Sequence, residues 1–313
     1  MTRAFVFPGQ GAQTLGMGRA LADAYPAARA VFDEVDEALG ARLTEVIWGE
    51  DADALTLTAN AQPALLATSM AAMRALEAEG VSITDAAFVA GHSLGEYSAL
   101  CAAGALGLAD AARLLRIRGE AMQSAVPVGE GAMAALLGVD LDTARAVAAD
   151  AAQGEVLEAA NDNDPGQVVL SGARAAVERA VELARERGAK RAVLLPVSAP
   201  FHCSLMEPAA RAMANALDDV DIAAPAVPVI TNVYAYGETD PAQLRTLLVR
   251  QVTAPVRWRE SVMHMGEQGV DEAWEIGAGK ALSGMIRRVN RDIATRTVGT
   301  PDEVRAAAQS LRD

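Results

Sequence analysis

The segment 86–95 has the sequence AAFVAGHSLG, in which an apolar run leads into a G-x-S-x-G motif. The run Ala86–Ala90 predicts a buried strand, and the pattern after the motif predicts a helix. Gly91 and Gly95 permit a tight turn that would expose the Ser93 hydroxyl beside the free N–H groups of a helix N-terminus. This setting favours Ser93 as a nucleophile. The alternative is a serine that caps the helix between two turn glycines.

A serine needs a base to become a nucleophile, and the chain has only three histidines. His92 lies inside the motif and should point away from Ser93. His264 lies within a predicted helix, where a packed or surface histidine is the usual case. His202 lies in an irregular segment, and loops on a rigid scaffold commonly carry catalytic groups. We therefore predict that His202 is the base, the alternative being a structural histidine that lines a cleft.

Arg118 is a charged residue on the apolar side of a predicted helix, Ala109–Ala125. It falls on the stripe marked by Leu114, Leu115 and Met122. A charge that faces the core needs a partner. The pattern leaves two partners open: an internal carboxylate, or an anionic substrate held by the planar guanidinium group.

The loop Gly9–Gly11 follows the first predicted strand. We expect it to place the backbone N–H of Gln10 near Ser93, where it would form an oxyanion hole together with the N–H of Leu94. The loop is not a dinucleotide-binding motif, because Thr14 stands where that motif requires its third glycine.

Strand and helix patterns alternate on both sides of the motif, which implies an open, mostly parallel sheet covered by helices. We predict a large α/β-hydrolase-like domain formed by residues 1–126 and 199–313. Between them the order changes to β-α-β-β-α-β within about 70 residues, the order of a ferredoxin-like α+β unit. We therefore predict a small inserted domain at 127–198 that ends with a strand over Lys190–Val197. The next predicted strand is Val227–Asn232.

An α/β-type serine hydrolase also requires an acidic residue between its serine and its histidine in the chain. Acidic residues are plentiful between positions 94 and 201, but none has a distinctive setting. The histidine could instead be oriented by a neutral carbonyl group.

The composition excludes several classes of function. The 313 residues carry 27 basic and 41 acidic side chains, a net charge of −14, and this argues against a nucleic-acid partner. No apolar run reaches the roughly 20 residues that span a bilayer, and Ala4–Phe7 is too short for a signal-peptide core. Cys101 and Cys203 form no disulfide framework, and three histidines argue against a zinc site. We therefore expect a cytoplasmic protein without a metal.

Together these motifs resemble one family, the bacterial malonyl-CoA:acyl-carrier-protein transacylases, over nearly the whole chain. The matching segments are FPGQGAQ at 7–13, QPAL at 62–65, GHSLGEYSAL at 91–100, RG at 118–119, MQ at 122–123, GAMAA at 131–135, PGQVV at 165–169, PVRW at 255–258 and GAGK at 277–280. The last segment has Ala278 where the family commonly has proline. As a group these segments are far more specific than any single motif.

The resemblance implies a two-step, ping-pong acyl transfer through a serine ester that supplies fatty acid synthesis. Ser93 would attack the malonyl thioester with His202 as base, and the N–H groups of Gln10 and Leu94 would bind the oxyanion. The phosphopantetheine thiol of holo acyl carrier protein would then accept the malonyl group. In this family a backbone carbonyl holds the histidine, and the matching position is Gln251. No cofactor is implied, because the CoA thioester is itself the substrate.

The resemblance also implies substrate contacts. Arg118 matches the arginine that binds the free malonyl carboxylate, and a neutral acyl group would leave this buried cation unpaired. Phe201 matches a phenylalanine that accompanies malonyl over α-branched acyl groups, and Gln10 is expected at the same substrate. Contacts to the thioester are expected from Asn161, Asn163 and Gln167. The NDND run that holds two of these residues otherwise reads as a turn.

Carrier proteins of this family are expected to be acidic, as is this chain, so docking needs a local basic patch. The candidate positions are Arg187, Lys190 and Arg191 in the small domain, and Lys280, Arg287, Arg288 and Arg291 in the large one. Each residue alone could equally belong to an ordinary solvated face. The resemblance also leads us to expect a monomer.

Three rival functions stay open. A serine esterase or thioesterase would use the same motif with water as acceptor, but would not need Arg118 on an apolar stripe. A catalytically inactive binding module would not need to retain the nucleophile, the base, the arginine and Gln10 together. A discrete acyltransferase of a polyketide pathway would use the same chemistry with a different carrier.

Overall fold

The computed structural model describes residues 1–197 and 199–312. Its strands are β1 (Arg3–Phe7), β2 (Phe88–Gly91), β3 (Gly131–Leu137), β4 (Leu157–Asp164), β5 (Gln167–Ala173), β6 (Arg191–Leu194), β7 (Val229–Ile230), β8 (Gly237–Glu238), β9 (Glu272–Ile276) and β10 (Ala294–Val298). Its α-helices are α1 (Arg19–Ala24), α2 (Pro26–Leu39), α3 (Leu43–Ile47), α4 (Ala52–Thr56), α5 (Thr58–Ala78), α6 (Gly95–Ala102), α7 (Leu108–Ser124), α8 (Leu141–Ala152), α9 (Arg174–Glu186), α10 (Glu207–Asp218), α11 (Pro241–Gln251), α12 (Trp258–Glu267), α13 (Ala281–Val289) and α14 (Pro301–Gln309).

The larger sheet has the order β10-β9-β1-β2-β7-β8 and is parallel except for β8, which pairs antiparallel with β7. Successive residues of β1 point to opposite faces. Phe5 and Phe7 join the hydrophobic cluster of α2, α5 and α7, whereas Ala4 and Val6 join the cluster of α12 and α13. Helices therefore cover both faces, which is why the strand is apolar throughout. The predicted α/β-hydrolase-like fold is confirmed.

The smaller sheet has the order β4-β5-β3-β6, is antiparallel, and carries α8 and α9. This is the ferredoxin-like arrangement that the β-α-β-β-α-β order predicts. It packs around a hydrophobic cluster of its own. The unit lies within the predicted insert 127–198, although the domain boundaries themselves stay a prediction.

Strand β4 links the small sheet to α12 and α13 and contains the NDND run, so the interpretation of that run as a turn is wrong. The N–H of Asp162 donates to the carbonyl of Val256 at 3.0 Å, and this bond connects the small sheet to the segment before α12. Asp162 also pairs with Arg259 at 2.8 Å, and Asp164 pairs with Arg288 at 2.6 Å. Both carboxylates are buried. Antiparallel pairing with β5, which continues to Asp164 opposite Gln167, makes this run a strand.

Two predicted strands are shorter in the structure. The strand expected over Val227–Asn232 is only Val229–Ile230, because the chain leaves the sheet there and turns towards the serine. The strand expected over Lys190–Val197 is shortened to Arg191–Leu194. Helix α10 is not predicted. Among the described helices, none has the length and apolar character needed to cross a bilayer.

Candidate active site

Ser93 lies in a strained turn between β2 and α6. Its φ is 53°, in the left-handed region that non-glycine residues rarely adopt. A Cβ at Gly91 would lie 1.9 Å from the backbone of Gly95, and a Cβ at Gly95 would lie 2.3 Å from the carbonyl oxygen of Phe7. Close backbone packing therefore requires both motif glycines. The packed turn presents the serine at the carboxyl end of the strand.

Asn232 holds this turn from the end of β7, the strand next to β2. Its Oδ1 accepts the N–H of Ser93 at 2.7 Å, and its Nδ2 donates to the carbonyl of Gly91 at 2.6 Å. Its own backbone N–H donates to the carboxylate of Glu96 at 3.0 Å. Neither Asn232 nor Glu96 is predicted from the sequence. The available signal was a polar residue directly after a buried strand, at the edge where parallel strands end.

His202 faces the serine, with its Nε2 2.8 Å from Ser93 Oγ. Its Nδ1 lies 2.9 Å from the carbonyl oxygen of Gln251 at the end of α11. A carbonyl can only accept a hydrogen bond, so Nδ1 carries the proton and Nε2 is free to accept one. His202 also has a left-handed backbone, with φ of 58°. The geometry supplies an oriented base without an acidic third residue.

Burial, with the charge of Arg118 as the second cause, lowers the pKa of His202 from 6.5 to about 3. The imidazole is therefore neutral at pH 7, as a general base must be. The other two histidines are bound elsewhere. His92 Nε2 lies 2.8 Å from Oδ1 of Asn163, and His264 packs against an aromatic ring of β2.

Arg118 is 1% exposed, and its partners are neutral. It donates to Oε1 of Gln62 at 2.7 Å and to Oε1 of Gln251 at 2.8 Å. Its Nη2 also lies 3.2 Å from Ser93 Oγ. Within the described residues no carboxylate bonds to this guanidinium group directly, so the interpretation as a structural salt bridge is wrong. Burial lowers the pKa of Arg118, which marks a cation that an incoming anion would stabilise.

A close contact between α5 and α7 places Arg118 against Gln62. A Cβ at Gly119 would lie 2.6 Å from Cα of Ala59 and 2.7 Å from the carbonyl oxygen of Thr58. Only glycine lets the two helices approach this closely. Gln62 is not predicted as a site residue, although it is the one polar residue in the run AQPALLA at 61–67 of α5.

Two backbone N–H groups near Ser93 are free to donate. Neither the N–H of Gln10 nor that of Leu94 has a hydrogen-bond partner within the part of the chain that the structure describes. The loop lies directly against the serine turn, because a Cβ at Gly9 would be 2.6 Å from the carbonyl oxygen of His92. The two donors have the character that an oxyanion hole requires.

A cavity of about 520 Å³ opens over the serine between the two sheets. It brings together all the residues predicted to contact substrate, together with the dyad: Gln10, Ser93, Arg118, Asn161, Asn163, Gln167, Phe201 and His202. Asn163 is already bound to His92, so it holds the cavity wall as well as lining it. Among the described residues no group of three His, Cys, Asp or Glu side chains is placed to hold a metal.

A second, more open cleft of about 730 Å³ adjoins this cavity, and Gln167 lines both. Its basic residues are four of those predicted for carrier docking: Lys190, Arg287, Arg288 and Arg291. The other three predicted positions, Arg187, Arg191 and Lys280, do not line it. Arg187 instead pairs with Asp150 on the small domain. The charge of Arg288 is partly compensated by Asp164.

The serine lies on a turn at the carboxyl edge of a parallel sheet, and a neutral histidine from another loop faces it. Together they define a serine acyl-transfer enzyme of the α/β-hydrolase-like class. A family model described as the acyl transferase domain matches residues 4–299. The chain belongs to this family of acyltransferases, and the resemblance noted in the sequence is confirmed.

Its relatives cover nearly the whole chain. The malonyl CoA-acyl carrier protein transacylase of Bacillus subtilis is 48% identical over 311 residues, 99% of this chain and 97% of that protein. The Escherichia coli K12 protein of the same name is 44% identical over 306 residues, 98% of each. The crystal structure of the acyl-carrier-protein-S-malonyltransferase from Bartonella henselae superposes with a TM-score of 0.98 at 55% identity, covering 100% of both chains. A structure described as a type II PKS acyl-carrier protein in complex with its malonyl-transacylase has a chain that superposes with a TM-score of 0.96 at 40% identity. The match covers 99% of this chain and 100% of that one.

Proposed function

We propose that this acyltransferase moves the malonyl group of malonyl-CoA to the phosphopantetheine thiol of holo acyl carrier protein, in fatty acid synthesis. One observation carries the choice of acyl group. Arg118 is a buried cation with no direct counter-ion among the residues that the structure describes, and it lies 3.2 Å from the hydroxyl that would hold the acyl chain. A malonyl ester on Ser93 would bring its free carboxylate to this guanidinium group.

The first half-reaction loads the serine. Ser93 Oγ attacks the thioester carbonyl carbon while its proton passes to Nε2 of His202. The carbonyl oxygen becomes an oxyanion that accepts the N–H groups of Gln10 and Leu94. The carbon–sulfur bond then breaks, His202 returns the proton to the sulfur, and CoA leaves with a free thiol. The carbonyl dipole of Gln251 stabilises the imidazolium formed in between.

The second half-reaction unloads it. The phosphopantetheine thiol gives its proton to His202 and attacks the malonyl ester carbon. The ester bond to Ser93 breaks, its oxygen recovers the proton, and the malonyl group leaves as a thioester of the carrier. Both thiols use the same cavity in turn, which gives a ping-pong mechanism. The thioester is already activated, so the reaction needs no cofactor.

The basic cleft beside the cavity is the proposed docking surface for the acidic carrier. Lys190, Arg287 and Arg291 give it positive charge on a chain whose net charge is −14. Charge reversal at Lys190 and Arg291 should slow transfer to the carrier and spare self-acylation by malonyl-CoA. Arg211→Glu, an exposed position on α10 that does not line this cleft, is the control. Equal loss of both half-reactions would show that this cleft does not dock the carrier.

The fatty-acid role has one supported rival. A solved malonyl-transacylase that binds a type II PKS acyl-carrier protein has nearly the same fold as this chain, so a polyketide carrier is a second candidate acceptor. Comparing transfer rates to a fatty-acid carrier and a polyketide carrier from the same source separates the two roles. The proposal also includes a cytoplasmic monomer. Size-exclusion chromatography with light scattering tests the monomeric state.

Intact-mass measurement tests the function itself. Wild-type protein mixed with malonyl-CoA should gain one malonyl group, and Ser93→Ala should gain none. Addition of holo carrier protein should then move that mass to the carrier. Release of free malonate without a carrier adduct would support a thioesterase instead, and unreacted malonyl-CoA would support an inactive binding module.

A further inference from the structure

Glu96 is a buried carboxylate directly behind the serine turn, and the two half-reactions above do not use it. It lies in the first turn of α6 and has no exposed surface. Its Oε2 accepts the backbone N–H of Asn232 at 3.0 Å and Nε2 of Gln251 at 2.9 Å. Its Oε1 has no partner among the described residues. A buried carboxylate with one unpaired oxygen is poorly stabilised as an anion.

The side-chain amide of Gln251 connects this carboxylate to the cation of the site. Its Nε2 donates to Glu96 and to the carbonyl of Ser93, both at 2.9 Å. Its Oε1 accepts from Arg118 at 2.8 Å. The two acceptors fix the direction of the amide, because only its oxygen can face a guanidinium group. The backbone carbonyl of the same residue accepts from His202, so one residue joins the carboxylate, the cation and the base.

Glu96 and Arg118 carry opposite charges behind the serine turn, and the side-chain amide of Gln251 lies between them. The other titratable groups on the surrounding elements are Tyr97 of α6 itself, His92 at the end of β2, His202 of the loop before α10, and Arg74 of α5, which lies near Cys101 at the far end of α6. Burial raises the pKa of Glu96 to about 7, against the opposing effects of its two hydrogen bonds and of Arg118.

We propose that Glu96 is a positioning residue that tunes selection of the acyl carboxylate through Gln251 and Arg118. When ionised, it shares the charge of Arg118 with the incoming carboxylate and weakens malonyl loading. When protonated, it keeps the same two hydrogen bonds and leaves the full charge to the substrate. By linkage, the arrival of the malonyl carboxylate favours proton uptake at Glu96. The inference rests on the malonyl transfer proposed above.

The measurable quantity is the ratio of kcat/KM for self-acylation by malonyl-CoA to that by acetyl-CoA, followed between about pH 5.5 and 8.5. Titration of His202 and of the CoA phosphates affects both substrates equally, so its effect on the two rates cancels in this ratio. The two unit charges are those of Glu96 and of the malonyl carboxylate, with the Gln251 amide and the Arg118 guanidinium group between them. At an effective dielectric constant of about 20, their repulsion across this separation predicts a change in the ratio on the order of tenfold. The wild-type ratio should therefore fall about tenfold as the pH rises through about 7.

Two variants isolate the charge. Glu96→Gln keeps an oxygen acceptor for both donors and removes the charge, so its ratio should stay at the high, low-pH value throughout. Glu275→Gln is the control for removing a buried charge. Glu275 is also fully buried, and its two oxygens each accept one backbone N–H, those of Leu282 and Ser283, outside this network. It should keep the wild-type pH step.

A wild-type ratio that does not change with pH would overturn the proposal, as would the same step in Glu96→Gln. If Glu96→Gln does not fold, calorimetry of malonate binding to the wild type in two buffers of different ionisation enthalpy should detect proton uptake near pH 7, and no uptake would overturn it. A Ser93-dependent malonyl adduct with a constant ratio refutes only the role of Glu96. No adduct at all refutes the proposed function as well.

Discussion

Replacing Arg118 by alanine should remove the preference for malonyl over acetyl groups without removing acylation of Ser93. The guanidinium group is 1% exposed, so it has already lost its water in the folded protein. A malonyl carboxylate can pair with it directly, whereas an acetyl group leaves it unpaired. Both the gain for malonyl and the penalty for acetyl disappear in the variant.

The size of the effect follows from the burial. Hydrogen bonds to charged groups contribute about 1.5–3 kcal/mol each, and a guanidinium–carboxylate pair makes two. We take about 3–4 kcal/mol for the pair, allowing for imperfect geometry, and about 1.4 kcal/mol corresponds to a factor of ten. The ratio of malonyl to acetyl acylation should therefore fall by about 100- to 1000-fold.

The assay is single-turnover acylation, quenched and read by intact mass, with each CoA thioester in turn. The ratio cancels general damage to the site, which matters because Arg118 also contacts Gln62 and Gln251. Arg116→Ala is the control. Arg116 lies two residues earlier on α7, is half-buried and bonds to Asn60 at 2.6 Å, outside the cavity. It should leave the ratio unchanged.

One result would refute the reasoning. If Arg118→Ala slowed malonyl and acetyl acylation equally, the arginine would support the serine or the fold and would not recognise the acyl carboxylate. A ratio within about threefold of wild type would count as this result, because a desolvated ion pair contributes far more than that.

Three further predictions follow from the site. Because the pKa of His202 lies near 3, acetyl self-acylation should not decline between pH 7 and 5 as it would for an ordinary histidine, and a midpoint near 6.5 in stopped-flow rates would contradict this. The same lowered pKa means that the contribution of His202 to stability is complete above about pH 6.5 and is lost as the pH falls towards about 3. Asn232→Ala should reduce the free energy of unfolding in urea by about 2–4 kcal/mol, because it leaves the N–H of Ser93 and the carbonyl of Gly91 unpaired. A loss under about 0.5 kcal/mol would show that the turn does not depend on this anchor. Phe201→Ala should raise methylmalonyl relative to malonyl acylation by about tenfold by enlarging the cavity, and an unchanged ratio would place the α-substituent elsewhere.

Local sequence predicted the elements that carry the site. The apolar run before Gly91 and the glycines around Ser93 define a strand, a turn and a helix, because each depends on residues adjacent in the chain. Arg118 on the apolar stripe of α7 was likewise visible, since a helix places every third or fourth residue on one face. What local sequence left open was the partner of that cation.

Other features depend on contacts between distant segments. The NDND run pairs with β5 as a strand and also bonds to Val256, in a distant segment of the chain. β7 stopped after two residues because Asn232 turns to hold the serine. The sequence pattern does not predict helix α10. The charges predicted for docking also depend on distant partners, because Arg288 pairs with Asp164 and Arg187 pairs with Asp150.

The sequence by itself determined the α/β class, the serine, the arginine and, by resemblance, the family. Only the tertiary structure decided how these residues are held: a base oriented by the carbonyl of Gln251, a turn anchored by Asn232, and a cation linked by one amide to Glu96. The physical reason is that periodicity and turn chemistry act over a few residues. Hydrogen bonds between groups 49 to 155 residues apart exist only once the helices and sheets have packed.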